Sequence, residues 1–241
     1  MKRWRLVSAV IAVSCVASGL HAEYKKLTFF GQAEYLTYSN AFGKAEDSFN
    51  QAVGEDQASM VGSGSMTSDS KTSGGVGFRI GALATTPLKG LKVGGSFGYI
   101  LGPSFTGKEN FFYNDGWIET VKGEDTSKLF RYMGEAKYSV PLGEKFQARL
   151  GFAMGLAALK VTEKGSYDGS GGGFSPASAS YKKSISTMKL SWEIGPAVAY
   201  VTDQIGVELA LTYAQMPTAE DMNTFEKFKW NPIGVRLGVE F

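Results

Sequence analysis

The sequence has one cysteine, Cys15, and one histidine, His21, both ahead of Glu23. If that leading segment is removed, the remainder can form no disulfide and has no thiol or imidazole for catalysis. It also lacks the usual ligands of soft metal sites. Prolines are few, 7 against 31 glycines, a balance that leans toward a β protein rather than a helical one. After the leader no stretch offers ~18 continuous apolar residues, so no transmembrane helix is expected. Hydrophobic residues make up 43% and charged ones 20%, which excludes a disordered chain.

The leader reads as an export signal. Lys2, Arg3 and Arg5 form a positive start, Leu6 to Val16 a short apolar run, and Ala17 to Ala22 a small-residue stretch. Cleavage after Ala22 divides the chain into a signal peptide, 1–22, and a single domain, 23–241. A lipoprotein would use Cys15, but Ala12-Val13-Ser14 before it match a Leu-rich acylation motif poorly. The leader carries three of the 25 basic residues and none of the 23 acidic ones. The apparent basicity therefore belongs to the signal, and nucleic-acid binding gains no support from it.

The rest of the chain alternates with period two, the pattern of strands. From Leu27 to Thr37 one face reads Leu27, Phe29, Gly31, Ala33, Tyr35 and the other Thr28, Phe30, Gln32, Glu34. Further strands are expected near 74–86, 91–102, 127–140, 145–162, 184–201, 204–215 and 230–241. The connections alternate in length. Those at 87–90, 141–144 and 202–204 are tight, while 40–73, 103–126, 163–183 and 216–229 are long and polar. Short turns on one side and long loops on the other are the pattern of a transmembrane antiparallel up-and-down β-barrel, all-β, with eight strands and both termini on the short-turn side. The first loop has room for one more hairpin, so ten strands stay open.

Apolar residues share one face of every strand, as in Val76, Phe78, Ile80 or Leu190, Trp192, Ile194. The opposite face is mostly Gly, Ala, Ser and Thr with isolated charges. Small residues suit the crowded inside of a narrow barrel, so the apolar face is expected to meet lipid. Counted up from the short turns, Glu34, Arg79, Arg131 and Glu193 fall near mid-depth, and Glu135, Arg149, Glu208 and Arg236 lower. Lys92, Lys137 and Glu240 fall near the rim, and Lys189 higher. Layers of balanced sign are what a self-neutralising interior needs, since unpaired charge there is costly. Structural ion pairs are the plain expectation; a narrow polar channel is the alternative.

Catalysis finds little support. No Ser-His-acid set can be built without histidine, and the inward glutamates interleave with arginines rather than facing one another as in a glycosidase. No cofactor or metal is expected. Glu46, Asp47, Glu55 and Asp56 lack the spacing of a calcium loop, and Gly171-Gly172-Gly173 lacks the Gly-Lys-Ser/Thr of a phosphate loop. The first loop is expected to be mobile and solvated, the third to have a flexible tip, and the fourth, from Pro217 to Lys229, to be solvated. The second is a hairpin written in sequence: Phe111, Phe112 and Tyr113, then Asn114-Asp115-Gly116, then Trp117 and Ile118. It is expected to continue its strands past the membrane, either as an aromatic ledge or as a contact edge for a partner.

On the last strand Val235, Leu237, Val239 and the terminal Phe241 share a face, which resembles the assembly signal of bacterial outer-membrane barrels. With the signal, strand number and loop asymmetry, residues 23–241 resemble the small barrels of the OmpA/OmpX type. The resemblance implies the outer membrane of a Gram-negative bacterium, reached through the general secretory pathway. It implies contact with outer-membrane lipid and lipopolysaccharide, with periplasmic chaperones and with the barrel-assembly machinery. Such barrels are monomers that serve as structural proteins, adhesins or surface-defence proteins; OmpW-like relatives look like passages for small hydrophobic molecules. Small barrel enzymes of the outer membrane need a histidine, so enzymatic activity is not implied. The chain departs from full-length OmpA-like proteins in ending at Phe241, without a peptidoglycan-binding domain.

Overall fold

The computed structural model describes residues 27–37, 42–220 and 227–241. The segment expected to be a signal peptide, with Cys15 and His21, lies outside them. Eight walls close into a ring. They are β1 (Leu27–Leu36), β2 with β3 (Gly64–Ser73, Gly75–Thr85), β4 (Leu91–Tyr113), β5 (Trp117–Pro141), β6 (Phe146–Gly171), β7 (Phe174–Val201), β8 (Gly206–Gln215) and β11 (Ile233–Glu240). All pairings are antiparallel, and β1 seals the ring against β11, with Glu34 opposite Arg236. A ten-stranded barrel is therefore corrected to eight, because β2 continues the wall of β3 instead of adding a hairpin.

The strands differ in height. β1, β3, β8 and β11 have 8 to 11 residues, about what a tilted strand needs to cross a bilayer. β4 to β7 have 23 to 28 and rise well past it. Their upper halves and β2 form a five-stranded wall in the order β2, β4, β5, β6, β7. The second and third loops of the sequence are thus hairpins of this wall. Their tips hold Gly116 and Gly171 to Gly173, all at positive φ.

The apolar face looks outward along every barrel strand: Phe78, Tyr132, Leu150, Val198, Leu209 and Leu237 are each about half exposed. Such a belt is stable only in lipid, where no strand edge is open and every backbone group is paired. Above the belt the apolar residues change sides. Ile100, Leu129, Leu159 and Val161 point inward and are fully buried, with Phe105 and Ile185 beside them. A bulge between Leu101 and Ser104, where Pro103 cannot donate to the ladder, makes this change on β4.

The first loop is corrected from mobile and solvated to ordered. It holds α1 (Gly43–Ser59), whose face of Phe49, Ala52, Val53 and Asp56 is half-buried, and then β2. Phe42 packs on Phe228 with ring centroids 5.0 Å apart, and Phe49 on Phe105 at 5.8 Å. The fourth loop is also corrected from solvated. It dips inward through a small hairpin, β9 (Ala219–Glu220) with β10 (Lys227–Phe228), and buries Met216, Ala219, Phe228 and Trp230. The Trp230 indole donates to the Thr37 carbonyl at 2.9 Å. Residues 221–226 are outside the described segments. Among the described residues no helix is long and apolar enough to cross a membrane.

Candidate functional site: the barrel lumen and the wall above it

Alternation turns every second residue of a strand into the lumen. All eight charges expected there are inside, and seven of them, all but Glu135, are buried outright. Glu193 on β7 is the centre of an upper cluster. Its carboxylate accepts from Arg79 at 2.7 and 2.6 Å, from Arg131 at 3.0 Å and from Arg236 at 2.5 Å. Arg131 also pairs closely with Glu34, and Arg79 reaches Glu135 at 3.1 Å. Three arginines thus meet three glutamates. Each is a bidentate or shared pair of the kind that guanidinium geometry favours.

A lower cluster sits toward the short turns. Glu208 accepts from Lys137 at 2.8 Å and Arg149 at 2.8 Å, and Glu240 lies 2.7 Å from Lys137 and 2.8 Å from Arg149. Gln32 donates to Glu208 at 3.1 Å. Four heights are corrected here. Arg236 belongs to the upper cluster, where β11 meets Glu34 in register, and so does Glu135, which pairs with Arg79. Lys137 and Glu240 are not rim residues but half of the lower cluster. Between the clusters a gap of about 20 Å³ remains, room for about one water. Below them a vestibule of about 600 Å³ opens at the short-turn end, lined by Thr28, Lys92, Tyr138, Arg149 and Glu240 among others.

Sequence reasoning missed the layer above the charges. It is apolar: Trp230, Leu36, Ile100, Leu129 and Leu159 fill the lumen under α1. The missed signal is the switch of apolar residues from even to odd positions in Met154, Leu156, then Leu159, Val161.

The second-loop aromatics are divided by the same alternation. Phe111 is buried on the inner face, and Phe112 and Ile118 are exposed on the outer one. Tyr113 and Trp117 donate to Glu119 at 3.2 and 2.8 Å, as does Tyr167 at 3.0 Å. Their reading as a contact edge is corrected, because β4 is paired to β2 and β5 to β6 along these residues. Edge positions fall instead on β2 and on β7 above Trp192, where pairing to β8 stops.

The inner face of the wall is acidic. Asp125 and Glu163 are buried opposite each other and Glu109 two rows further up, and one oxygen each of Glu109 and Asp125 has no hydrogen-bond partner. Burial, then the nearby Glu163 and Glu124, push the Asp125 carboxyl up to about 7. Burial, then Asp56 on α1, raise Glu109 as well. Tyr181, half exposed, donates to Glu163 at 2.7 Å, and burial and that bond push its phenol up to about 12. Among the described residues no group of acids, His or Cys is arranged to hold a metal ion.

The final strand matches its expectation in geometry. Val235, Leu237, Val239 and Phe241 all face outward, and Phe241 exchanges backbone hydrogen bonds with Phe29 at 2.9 Å while their rings stack.

No protein-family model and no curated protein matches the sequence. Among solved structures, Neisserial surface protein A is similar at 11% identity over 89% of this chain and 95% of that one, with a TM-score of 0.39. Ail, the attachment invasion locus protein of Yersinia pestis, is similar at 12% identity over 89% and 98%, with a TM-score of 0.40. The N-terminal β-barrel domain of Pseudomonas aeruginosa OprF is similar at 13% over 63% and 95%, with a TM-score of 0.29. At these identities and scores the likeness adds nothing to what the geometry states by itself. A closed antiparallel ring, a lipid-facing apolar belt and a charged lumen make the chain a small eight-stranded transmembrane β-barrel.

Proposed function

We propose that the barrel is a closed, non-catalytic anchor whose work is done by the wall it raises outside the membrane, in a structural or surface-interaction role. The observation that carries this reading is the filled lumen. Two ion clusters separated by about one water's space are followed by an apolar layer that ends in Trp230 and α1. A pore or a passage for small solutes needs a wet path past both. The exposed part of the wall, with its flexible tips and its free edges on β2 and β7, is where a partner at the cell surface would dock. Lipopolysaccharide is the expected neighbour of the wall's outer face. The outward strand ending at Phe241 would be what the assembly machinery and its chaperones handle. The barrel acts as a monomer in this reading, since no open edge crosses the lipid.

The test is single-channel conductance of the refolded chain in a planar bilayer. A folded, heat-modifiable barrel that stays electrically silent is the expected result. Steady steps whose ion selectivity shifts in Glu34→Gln would overturn the closed anchor and make the ion clusters a channel lining.

A further inference from the structure

The inner face of the wall contains a trough that the lumen and the outer surface do not explain. Gly107, Gly123 and Gly165 are cross-strand neighbours on β4, β5 and β6, so their row has no side chains. Tyr181 continues that row on β7, and Phe49 of α1 stands over Gly107. The resulting cavity is about 400 Å³, bounded also by Glu109 and Tyr167. That is within the range of small-ligand sites, roughly 300–1,000 Å³.

We propose that this trough binds a small organic cation, a slim chain bearing a primary ammonium group. This goes beyond the surface-interaction reading and does not depend on it. Three features support it. Glu109 lines the cavity, is only 7% exposed, and leaves an oxygen without a partner. A carboxylate buried in that way is costly unless a cation completes it. Asp56 of α1 is near enough to act on the same carboxylate, and among the described residues neither acid has an ion pair. The walls are aromatic: Phe49, Tyr167 and Tyr181 present rings to a chain that lies on glycine, the arrangement that holds an ammonium group by its charge and its methylenes by contact. Lys122 contributes to the cavity wall, but alternation directs its side chain to the outer face of β5, and Lys183, one row away on the inner face, stands opposite Glu163.

The experiment is titration of the full refolded chain in detergent micelles with 1,5-diaminopentane, followed by calorimetry and by side-chain NMR shifts. Saturable binding is expected, with shifts at Tyr167 and Tyr181. The uncharged 1,5-pentanediol should neither bind nor compete. Glu109→Gln should weaken binding at least about tenfold. Gly123→Val is the second variant: no atom lies within 4 Å of where its Cβ would sit, so it fills the trough without disturbing the strand. It should abolish binding while heat-modifiability stays unchanged. Equal binding of the diol, displacement of the diamine by an equal concentration of Mg²⁺, unchanged affinity in Gly123→Val, or no saturable signal would each overturn the proposal.

Discussion

Glu193 is the side chain on which the lumen turns. Three guanidinium groups converge on one carboxylate, and each arginine keeps its Nε without a partner, so no spare acceptor is at hand among the described residues. Replacing it with Gln leaves three buried cations facing Glu34 and Glu135 alone. The expected cost is about 3–5 kcal/mol, as for other buried pairs that lose one member. Urea unfolding in micelles reads it as a fall in the midpoint; a midpoint within error of the wild type would mean that water supplies the missing charge. Asp125 makes a different prediction. Its carboxyl is held up to about 7 by burial and by Glu163 and Glu124, well above its ordinary value of 3.8. The folded state therefore keeps a proton that the unfolded chain has released. Stability contributed by this group falls as pH rises from about 4 to 7 and stays low above that. Asp125→Asn should flatten that slope and stabilise the wall at neutral pH by about 1–3 kcal/mol, since an unpaired buried acceptor no longer has to be ionised. Melting temperatures of both proteins across pH 4 to 8 test it; parallel curves would sink it.

The strands show where sequence reading succeeds and where it stops. In the belt, one face of each strand meets lipid and the other meets a packed lumen, so period two and the short turns expose eight strands and all eight lumen charges. Above the belt the rule inverts, and β6 shows it within one strand: Leu150, Phe152 and Met154 look out, Leu159 and Val161 look in. An alternation sought with one phase loses the strand there, which is why β4 to β7 extend so far past their expected ends. Counting along one chain also puts Arg236 and Glu135 too low, since strand stagger is set by pairing across the ring. The helix was legible but unread: Phe49, Ala52, Val53 and Asp56 recur at helical spacing inside a segment rich in Gly and Ser. The inversion predicts unequal costs for one substitution. Leu159→Ala empties a buried site and should cost about 2–5 kcal/mol. Leu209→Ala, 57% exposed on the lipid face, leaves a gap that acyl chains fill, so its cost should be well under half of that. Equal losses in the two unfolding titrations would mean that the upper cluster is not a packed core.

Taken as one body, the wall carries opposite charge on its two faces. The inner face has Glu109, Glu119, Asp125 and Glu163 with Lys183 beside them; the outer face has Lys71, Lys108, Lys122, Lys128, Lys160, Lys164 and Lys182 against Asp69, Glu124 and Asp168. Three of the outer pairs are lysine directly opposite lysine: Lys108 with Lys122, Lys128 with Lys160, and Lys164 with Lys182. Lys164 is also paired with Glu124 at 3.0 Å, and Lys108 stands opposite Asp69. Like charges directly opposite destabilise a sheet, so the repulsion is least offset at Lys128 and Lys160, where a neighbour rich in anions would relieve it. Lys128 and Lys160 stand one step above the exposed Phe130, at the upper limit of the apolar belt, where the phosphate groups of lipopolysaccharide, the neighbour proposed for this face, would lie. The pair Lys128→Gln with Lys160→Gln should therefore have two opposite effects. In detergent free of lipopolysaccharide the variant should melt at a slightly higher temperature than the parent, because a repulsion is gone. With lipopolysaccharide added the parent should gain stability that the variant does not, and the gain should shrink as salt rises past the range where exposed charges feel one another. A variant that gains as much as the parent, or a gain indifferent to salt, would leave the lysine pairs without a lipid role and return the outer face to the search for a protein partner.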